Sequence, residues 1–189
     1  MPRILTTKGD PAVMTNRTIT VAAAQLGPIQ RAEPRSVAVE RMIRLLERAH
    51  HRGVELVVFP ELALTTFFPP HYQGNVSEAH HLRVFHSHLT IQAGCYQNAC
   101  FAVAAAKAGI EDGRELFGHS IIVNPRGEII AMATTWADEL ITADLNLDHC
   151  TRGRTTIFAF EKHRRPEAWQ RITSQVGAVD PPVWQRTAR

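Results

Sequence analysis

The sequence lacks the features that mark secreted, membrane-spanning and nucleic-acid-binding proteins. Only three of its 189 residues are cysteines, and this odd number has neither a disulfide pattern nor zinc-site spacing. The net charge is only +3, and the arginines are spread along the chain, so no nucleic-acid partner is predicted. No apolar run reaches the length of a membrane span or a signal peptide. These absences predict reduced thiols, a cytoplasmic location and no metal site.

What is present is enough apolar sequence for one folded domain. Hydrophobic residues make up 44% of the chain and charged residues 21%, which allows a buried core at this length. Residues 1–16 show no periodicity, and Met14 lies just ahead of the first periodic segment. We therefore expect an unstructured extension over residues 1–16, with Met14 as an alternative start to Met1. We expect one truncated domain over residues 17–166 and a C-terminal arm over residues 167–189.

Hydrophobic periodicity predicts an α/β layered fold. The run of apolar and β-branched residues from Thr18 to Gln25 predicts a buried strand. Apolar residues recur at helical spacing from Ser36 to His51, and Gly53 stands where a helix ends. Val54–Phe59 predicts a second buried strand. A strand, helix, strand order with continuously apolar strands is typical of α/β folds.

The second half of the chain predicts a helix followed by strands. The helix carries an apolar stripe that begins at Leu82 and continues through Phe85, Leu89 and Ala93. The expected elements in chain order are a helix at Glu78–Gln97, a strand at Cys100–Ala106, a β-hairpin formed by Gly118–Val123 and Glu128–Ala133, a strand at Leu140–Leu145, and one or two helical turns after Leu147.

Glu61 is the candidate catalytic residue. It follows the strand Val54–Phe59, and catalytic groups project from the carboxyl ends of strands in α/β sheets. Apolar neighbours such as Phe59 and Phe67 would raise the pKa of Glu61 by desolvation, toward the range of a general base at neutral pH. The alternative is a solvated glutamate that caps the next turn, which is the commoner role of a single acid at a strand end.

Several segments, taken in chain order, resemble one family. FPELALTTFFP (59–69) is similar to the segment that carries the catalytic glutamate in the N-carbamoyl-D-amino acid amidohydrolases of the nitrilase superfamily. Together with further segments it covers most of residues 18–166. These further segments are AAAQLGPIQRAEPR (22–35), HLRVFHSHLTIQAGCYQNACFAVAAAKAG (81–109), GHSIIVNPRGEIIA (118–131), DLNLDHC (144–150) and FEKHRRP (160–166).

This resemblance implies an α-β-β-α sandwich that hydrolyses non-peptide C–N bonds with a Glu, Lys, Cys triad and no cofactor. Glu61 would take the proton of the thiol, the thiolate would attack the carbamoyl carbon, and the lysine ammonium would stabilise the oxyanion. The small-molecule substrate would be an N-carbamoyl-D-amino acid, and the products would be a D-amino acid, ammonia and carbon dioxide.

The chain departs from this family between Phe68 and Glu78. The family places a large central block there, including the lysine and the cysteine, whereas this chain has nine residues that contain neither. We therefore predict a partial sandwich without the central strands and helices, and impaired catalysis. One alternative is a non-catalytic interaction subunit that pairs with a full-length homologue, and another is a substitute thiol that preserves some hydrolysis.

Loss of the central block predicts exposed apolar surface. Phe67, Phe68 and the stripe that begins at Leu82 would lose the side chains they pack against. Unpaired strand edges invite association with other chains. We therefore expect a chain that keeps its local elements but is unstable, forms homo- or hetero-oligomers, or is prone to aggregation.

The remaining lysines and cysteines are not predicted to replace the triad. Lys107 and Lys162 match family positions outside the triad, and Lys8 lies in the N-terminal extension. The cysteines are expected to be inert packing residues, because buried free cysteines usually behave as small hydrophobic side chains. These are Cys95, Cys100 and Cys150.

Four histidines of the second predicted helix form the remaining candidate site. Metal binding on a helix favours a pair of histidines four residues apart with an acid nearby. The separations here scatter the rings around the helix, so a structural or surface role is predicted. These residues are His80, His81, His86 and His88.

Overall fold

The order of strands and helices follows the periodicity of the sequence. The computed structural model describes residues 17–67, 80–170 and 174. The elements before residue 159 are β1 (Thr18–Gln25), α1 (Arg35–His51), β2 (Leu56–Val58), α2 (His80–Asn98), β3 (Ala102–Ala104), β4 (Ala108–Glu111), β5 (Arg114–Phe117), β6 (Ile121–Val123), β7 (Ile129–Met132), β8 (Glu139–Asn146) and α3 (His149–Thr155).

The chain divides after Phe158 into two units. The second unit contains the short helix α4 (Phe160–His163) and a 3₁₀ turn at Pro166–Trp169. Most of the predicted arm, the predicted extension over residues 1–16 and the predicted helix start at Glu78 lie outside the described residues. The domain boundaries therefore stay predictions.

Two three-stranded sheets form the centre of the first unit. One has the strand order β2-β1-β8, in which β1 runs parallel to β2 and antiparallel to β8. The other has the order β3-β6-β7, with antiparallel neighbours throughout. The pairing of β6 with β7 confirms the predicted hairpin. The strand predicted over Cys100–Ala106 is shorter than expected, since only Ala102–Ala104 pairs as β3.

The two sheets pack face to face because side chains alternate along each strand. Successive residues of a strand point to opposite faces, and one face of β1 is directed toward the second sheet. The buried cluster between the sheets takes residues from β1, β6 and β8 and from the segment after β7. Its members are Val21, Ala23, Ile122, Ala133, Ile141 and Leu145.

Helices cover the outer faces of both sheets. The other face of β1 packs against Leu45 and Ala49 of α1. On the second sheet, Ile121 and Val123 of β6 pack against Cys95 of α2. The layers therefore run α1, first sheet, second sheet, α2. This α-β-β-α order is the one that the family resemblance implies, and it agrees with the α/β fold predicted from periodicity.

A second hairpin, β4 and β5, was absent from the sequence prediction. Its strands pair antiparallel from Ala108 opposite Phe117 to Glu111 opposite Arg114. Asp112 and Gly113 form the turn with φ angles of 47° and 80°. Two successive positive φ values are required by the two-residue turns that suit the twist of a hairpin, and Asp-Gly is a strong signal for them. The sequence therefore contains a signal for this hairpin, the Asp112-Gly113 pair.

Both long helices keep an exposed apolar face. On α1, Leu45 is 2% exposed, whereas its neighbour Leu46 is 44% exposed. The predicted stripe of α2 is also exposed and the helix packs through other residues, so the expectation of uncovered apolar surface is confirmed there. The exposed stripe comprises Leu82, Phe85, Leu89 and Ala93. Phe67 is exposed as well, and Phe68 lies outside the described residues.

Candidate active site at the end of β2

Glu61 lies in a turn that follows β2, as the sequence predicts. The next residue, Leu62, has a φ of 56°, in the left-handed region that non-glycine residues rarely adopt. The Thr65 amide donates to the Leu62 carbonyl at 3.2 Å. This turn directs Ala63 toward the cluster under α1 and leaves Glu61 exposed. The buried apolar surroundings predicted for Glu61 are therefore not formed.

The segment that follows the turn is fixed by a buried ion pair between Lys107 and Glu111. Lys107 Nζ lies 2.5 Å from Glu111 Oε2, and the two side chains are only 5% and 2% exposed. Lys107 Nζ also donates to the Thr65 carbonyl at 2.9 Å. Glu111 accepts hydrogen bonds from the Ile29 amide at 2.7 Å and from the Phe67 amide. One ion pair thus joins three segments that are distant in sequence.

This arrangement gives Lys107 a structural partner. Its ammonium is held by Glu111 and by a main-chain carbonyl, and among the described residues no hydrogen bond or ion pair links it to Glu61. Sequence reasoning placed Lys107 outside the triad but did not identify the partnership with Glu111. A spacing of four residues predicts contact between two side chains only in a helix, where such residues lie on one face. Lys107 instead precedes the strand β4, and Glu111 is the last residue of that strand.

The three cysteines lie near one another on the side of the sandwich that α2 covers. Cys95 is buried against β6, and its carbonyl accepts from the Cys100 amide at 3.1 Å where Ala99 ends the helix with a φ of 47°. Burial, with a smaller contribution from the Cys100 and Cys150 thiols nearby, raises the pKa of Cys95 to about 11. Its predicted packing role is confirmed. Cys100 and Cys150 are half-buried.

Thiol labelling at pH 7 is expected to separate Cys95 from the other two cysteines. The thiolate is the reactive form, and a pKa of about 11 leaves about one part in ten thousand of the Cys95 thiol ionised. Ellman's reagent should therefore modify Cys100 and Cys150 in the folded protein and Cys95 only after denaturation in urea. Peptide mapping by mass spectrometry identifies the modified residues. Equal rates for all three thiols in the folded protein would contradict this assignment.

A second charged pair, Arg41 and Asp138, anchors the segment after β1. Arg41 Nε donates to Asp138 Oδ2 at 2.9 Å, and Arg41 Nη1 donates to the Pro28 carbonyl at 2.8 Å. The Gly27 amide donates to Asp138 Oδ1 at 2.8 Å. Burial is the largest single influence and raises the pKa of Asp138. The hydrogen bonds from Arg41 and Gly27, with the Arg41 and Arg44 charges, outweigh it and hold that pKa below its usual value.

Asp138→Asn is expected to reduce stability at pH 7 by about 1–3 kcal/mol, because it removes charge-assisted hydrogen bonds that are partly buried. The lowered pKa means that this stabilisation is complete above the unfolded value of about 3.9 and is lost as the pH falls through the folded value. Urea denaturation at pH 7, 5 and 3 should therefore show a smaller acid-dependent loss in the variant.

Asp144→Asn is the control for the size of the effect at pH 7, since Asp144 is exposed and its contact with Thr20 survives as a hydrogen bond to the amide oxygen. It should lower the stability at pH 7 by less than about 1 kcal/mol. If Asp138→Asn retained the full acid-dependent loss, Asp138 would not be a source of the acid sensitivity.

The histidines of α2 have separate surroundings. His88 Nε2 lies 2.9 Å from the His119 carbonyl oxygen, whereas His81 and His86 are exposed. The side chain of His80 lies outside the described residues. In the part of the chain that the structure describes, no group of three histidine, cysteine or acidic side chains is placed to hold a metal ion.

Two of the cavities in the first unit are lined by described residues that do not include Glu61. The larger, about 690 Å³, lies between Tyr96 of α2, the turn around Arg126 and Arg152 of α3. The smaller, about 420 Å³, is lined by Phe67 and Lys107 among others. It therefore lies beside the segment that the buried ion pair fixes.

The fold and a match to a family model together identify the class of protein. An α-β-β-α sandwich carries a carboxylate just beyond the end of a parallel strand. The carbon-nitrogen hydrolase family matches the chain over residues 20–85 and 72–155, which together exceed half of its length. The chain belongs to the carbon-nitrogen hydrolase family.

Individual relatives match over part of their length. A hydrolase encoded in the agr operon of Staphylococcus aureus is 32% identical over 79 residues, which cover 42% of this chain and 30% of that protein. The deaminated glutathione amidase of Bos taurus is 28% identical over 118 residues, or 62% of this chain and 31% of that protein. The chain thus spans about a third of the length of these curated relatives.

Solved structures agree with the fold. A carbon-nitrogen hydrolase from Helicobacter pylori G27 superposes with a TM-score of 0.68 at 13% identity, covering 85% of this chain and 99% of that one. The NitFhit protein of C. elegans gives a TM-score of 0.65 at 14% identity, covering 80% and 66%. At these identities the likeness concerns the fold, and the N-carbamoyl-D-amino acid substrate stays a proposal.

None of the described helices combines the length and the apolar character that crossing a membrane requires.

Proposed function

We propose that this chain derives from the N-carbamoyl-D-amino acid amidohydrolases and has lost their covalent chemistry. The observation that carries the proposal is the isolation of Glu61. It is exposed, and within residues 17–67 and 80–170 no hydrogen bond or ion pair joins it to a lysine or a cysteine. A general base without a thiol to deprotonate forms no covalent intermediate, so the reaction does not start.

The positions of the remaining thiols and lysines support this proposal. Cys95 is buried on the outer face of the second sheet, under α2, and its raised pKa makes it a poor nucleophile. Lys107 is held by Glu111 and the Thr65 carbonyl. The three cysteines are free thiols in the structure, which supports a reducing compartment such as the cytoplasm.

An ammonia-release assay tests the loss of activity. The purified chain is incubated with N-carbamoyl-D-phenylalanine, and ammonia is followed by an enzyme-coupled assay beside the L enantiomer. We expect no release above the buffer rate for either enantiomer, and the same result for Glu61→Gln. A residue without catalytic function leaves the rate unchanged when it is replaced.

Glu47→Gln is the matched control, because Glu47 is also an exposed glutamate but lies on α1. Release from the D enantiomer that persists in Glu47→Gln and disappears in Glu61→Gln would overturn the proposal. That result would require a substitute nucleophile, and Cys100→Ser and Cys150→Ser would then identify it.

A second candidate function is that of a non-catalytic subunit that pairs with a full-length homologue. The observation that favours it is the exposed apolar face on each long helix. Contiguous exposed apolar surface often marks a site of protein association. The exposed residues are Val39, Ile43 and Leu46 on α1, and Leu82, Phe85, Leu89 and Tyr96 on α2.

Co-purification with a tagged full-length amidohydrolase tests the subunit function. The unaltered chain should be retained, whereas Leu46→Glu and Phe85→Glu should each weaken retention, because a buried charge without a partner disfavours an interface. Glu47→Lys is the control for a change of charge beside the apolar face of α1. Equal retention of all four proteins would exclude these faces as the contact.

A further inference from the structure

The cavity of about 690 Å³ between α2 and α3 has the size of a ligand site. Small-molecule sites in proteins have volumes of about 300–1,000 Å³ and combine apolar walls with a few polar groups. We call this space the α3 cavity. Its walls come from the last turns of α2, the turn between β6 and β7, the helix α3 and the segment after α3. Four segments that are distant in sequence therefore meet around it.

Close contacts hold the walls of the α3 cavity together. Gly153 of α3 lies against the end of α2, where a Cβ atom added to it would be 2.5 Å from the Ala99 Cβ atom. The turn between β6 and β7 is fastened to α2 by the Gln92 side-chain amide, which donates to the Gly127 carbonyl at 2.7 Å. Arg126 is the residue before Gly127. The backbone that carries Arg126 is therefore fixed relative to α2.

Two arginines of the lining have guanidinium groups that a ligand can use. Arg126 lies in the turn between β6 and β7, Arg152 lies on α3, and both are exposed. Within residues 17–67 and 80–170, neither guanidinium forms a hydrogen bond or an ion pair. The acidic residue of the described lining, Asp148, is already paired, since Arg17 Nε donates to Asp148 Oδ1 at 2.7 Å. The lining thus keeps a net positive charge.

An aromatic pair forms the apolar part of the same wall. The rings of Tyr96 and Phe158 meet edge to face, with centroids 5.0 Å apart and an interplanar angle of 87°. The Phe158 amide donates to the Gly153 carbonyl at 2.9 Å, which ties the end of this segment to α3. Tyr96 is 46% exposed and Ile157 is 67% exposed. Apolar surface is therefore available to a ligand beside the two arginines.

We infer that the α3 cavity binds a small phosphate monoester with an aromatic or aliphatic body. A phosphate monoester carries close to two negative charges at pH 8 and has three oxygens that accept hydrogen bonds. Guanidinium groups pair with phosphate oxygens through two parallel N–H bonds, so two arginines suit a group with this charge. The exposed surface of Tyr96 and Ile157 suits the apolar body. Binding here uses neither Glu61 nor a nucleophile and goes beyond the proposed loss of covalent chemistry.

Fluorine NMR titration of the full chain at pH 8 tests this inference with 4-fluorophenyl phosphate as the probe. The fluorine signal should broaden and shift on addition of protein. We expect 4-fluorobenzenesulfonate, which has a similar shape but one negative charge, to bind about threefold more weakly or less. Inorganic phosphate should compete only at higher concentration than the ester, because it lacks the apolar body. Equal binding of the sulfonate, or competition by inorganic phosphate at the same concentration, would contradict the inference.

Substitution of the two arginines locates the binding site. Arg126→Met and Arg152→Met should each weaken binding of 4-fluorophenyl phosphate about threefold, and the double variant about tenfold, since contacts of exposed charges are individually weak. Both side chains are exposed and unpaired within the described residues, so the variants should keep the urea midpoint of the unaltered chain. Arg152→Lys, which keeps the charge but not the planar group, should weaken binding less than Arg152→Met.

Arg154→Met is the matched control, because Arg154 is also an exposed arginine of α3 but is not among the described residues that line the cavity. It should leave binding unchanged. Absence of binding to the unaltered chain, or an equal loss in Arg154→Met and Arg152→Met, would overturn the inference. The readout is binding, so it is independent of the ammonia assay: hydrolysis detected there would count against the proposed function and not against this site.

Discussion

Replacing Lys107 by methionine is expected to lower the free energy of unfolding by about 3–5 kcal/mol. The reason is the negative charge that would remain on Glu111. Glu111 is 2% exposed and would stay buried without its cation. Its hydrogen bonds from the Ile29 and Phe67 amides would compensate only part of the lost interaction. Urea denaturation followed by tryptophan fluorescence measures the change.

The double variant Lys107→Met, Glu111→Gln provides the comparison for this prediction. A glutamine at position 111 is neutral but keeps one oxygen that accepts from a main-chain amide. Removal of both charges should therefore restore part of the stability lost in Lys107→Met. A Lys107→Met protein that stayed within about 1 kcal/mol of the unaltered chain would show that the buried charge pair is unimportant for the fold.

Leu45→Ala is expected to cost about 2–5 kcal/mol, whereas Leu46→Ala should cost less than about 1 kcal/mol. The two leucines are adjacent in α1, and only Leu45 is buried, in the cluster with Ala22 and Ala24 of β1. Its truncation removes apolar contacts and leaves a cavity under the helix. Urea denaturation of the two variants under one set of conditions gives the difference directly.

The adjacent substitutions control for each other, because both exchange a leucine for alanine in the same turn of helix. Alanine has the higher helix propensity of the two, so a helix effect would not destabilise either variant. Equal losses for Leu45→Ala and Leu46→Ala would mean that the exposed face of α1 is covered in solution. In that case the loss for Leu46→Ala should increase with protein concentration, as expected for an associated state.

Sequence periodicity was sufficient to place the first strand and the first helix. The continuous apolar run at Thr18–Gln25 predicted β1 with its observed bounds, because a strand buried on both faces has no polar alternation. The helical spacing of residues 36–51 predicted α1 within one residue. It did not predict which side faces the sheet, since Leu45 and Leu46 are equally apolar and the choice depends on packing.

The site was only partly predictable. The location of Glu61 was predictable, because a residue that closely follows a predicted strand lies beyond the carboxyl end of that strand. The exposure of Glu61 depends on the left-handed conformation of Leu62, which the leucine side chain does not favour. The link from Glu111 to the Ile29 amide spans 82 positions in sequence. No local pattern carries a contact of that range, so it required the tertiary structure.

The buried pair between Lys107 and Glu111 has a consequence for the order of folding during synthesis. Ribosomes release the N-terminal part of a chain first. The bond from Lys107 to Thr65 spans 42 positions, and the bond from Phe67 to Glu111 spans 44. The β1, α1, β2 unit therefore emerges well before the residues that hold its last loop. We conclude that the loop beside Glu61 takes its final shape only after the first β-hairpin downstream has been translated.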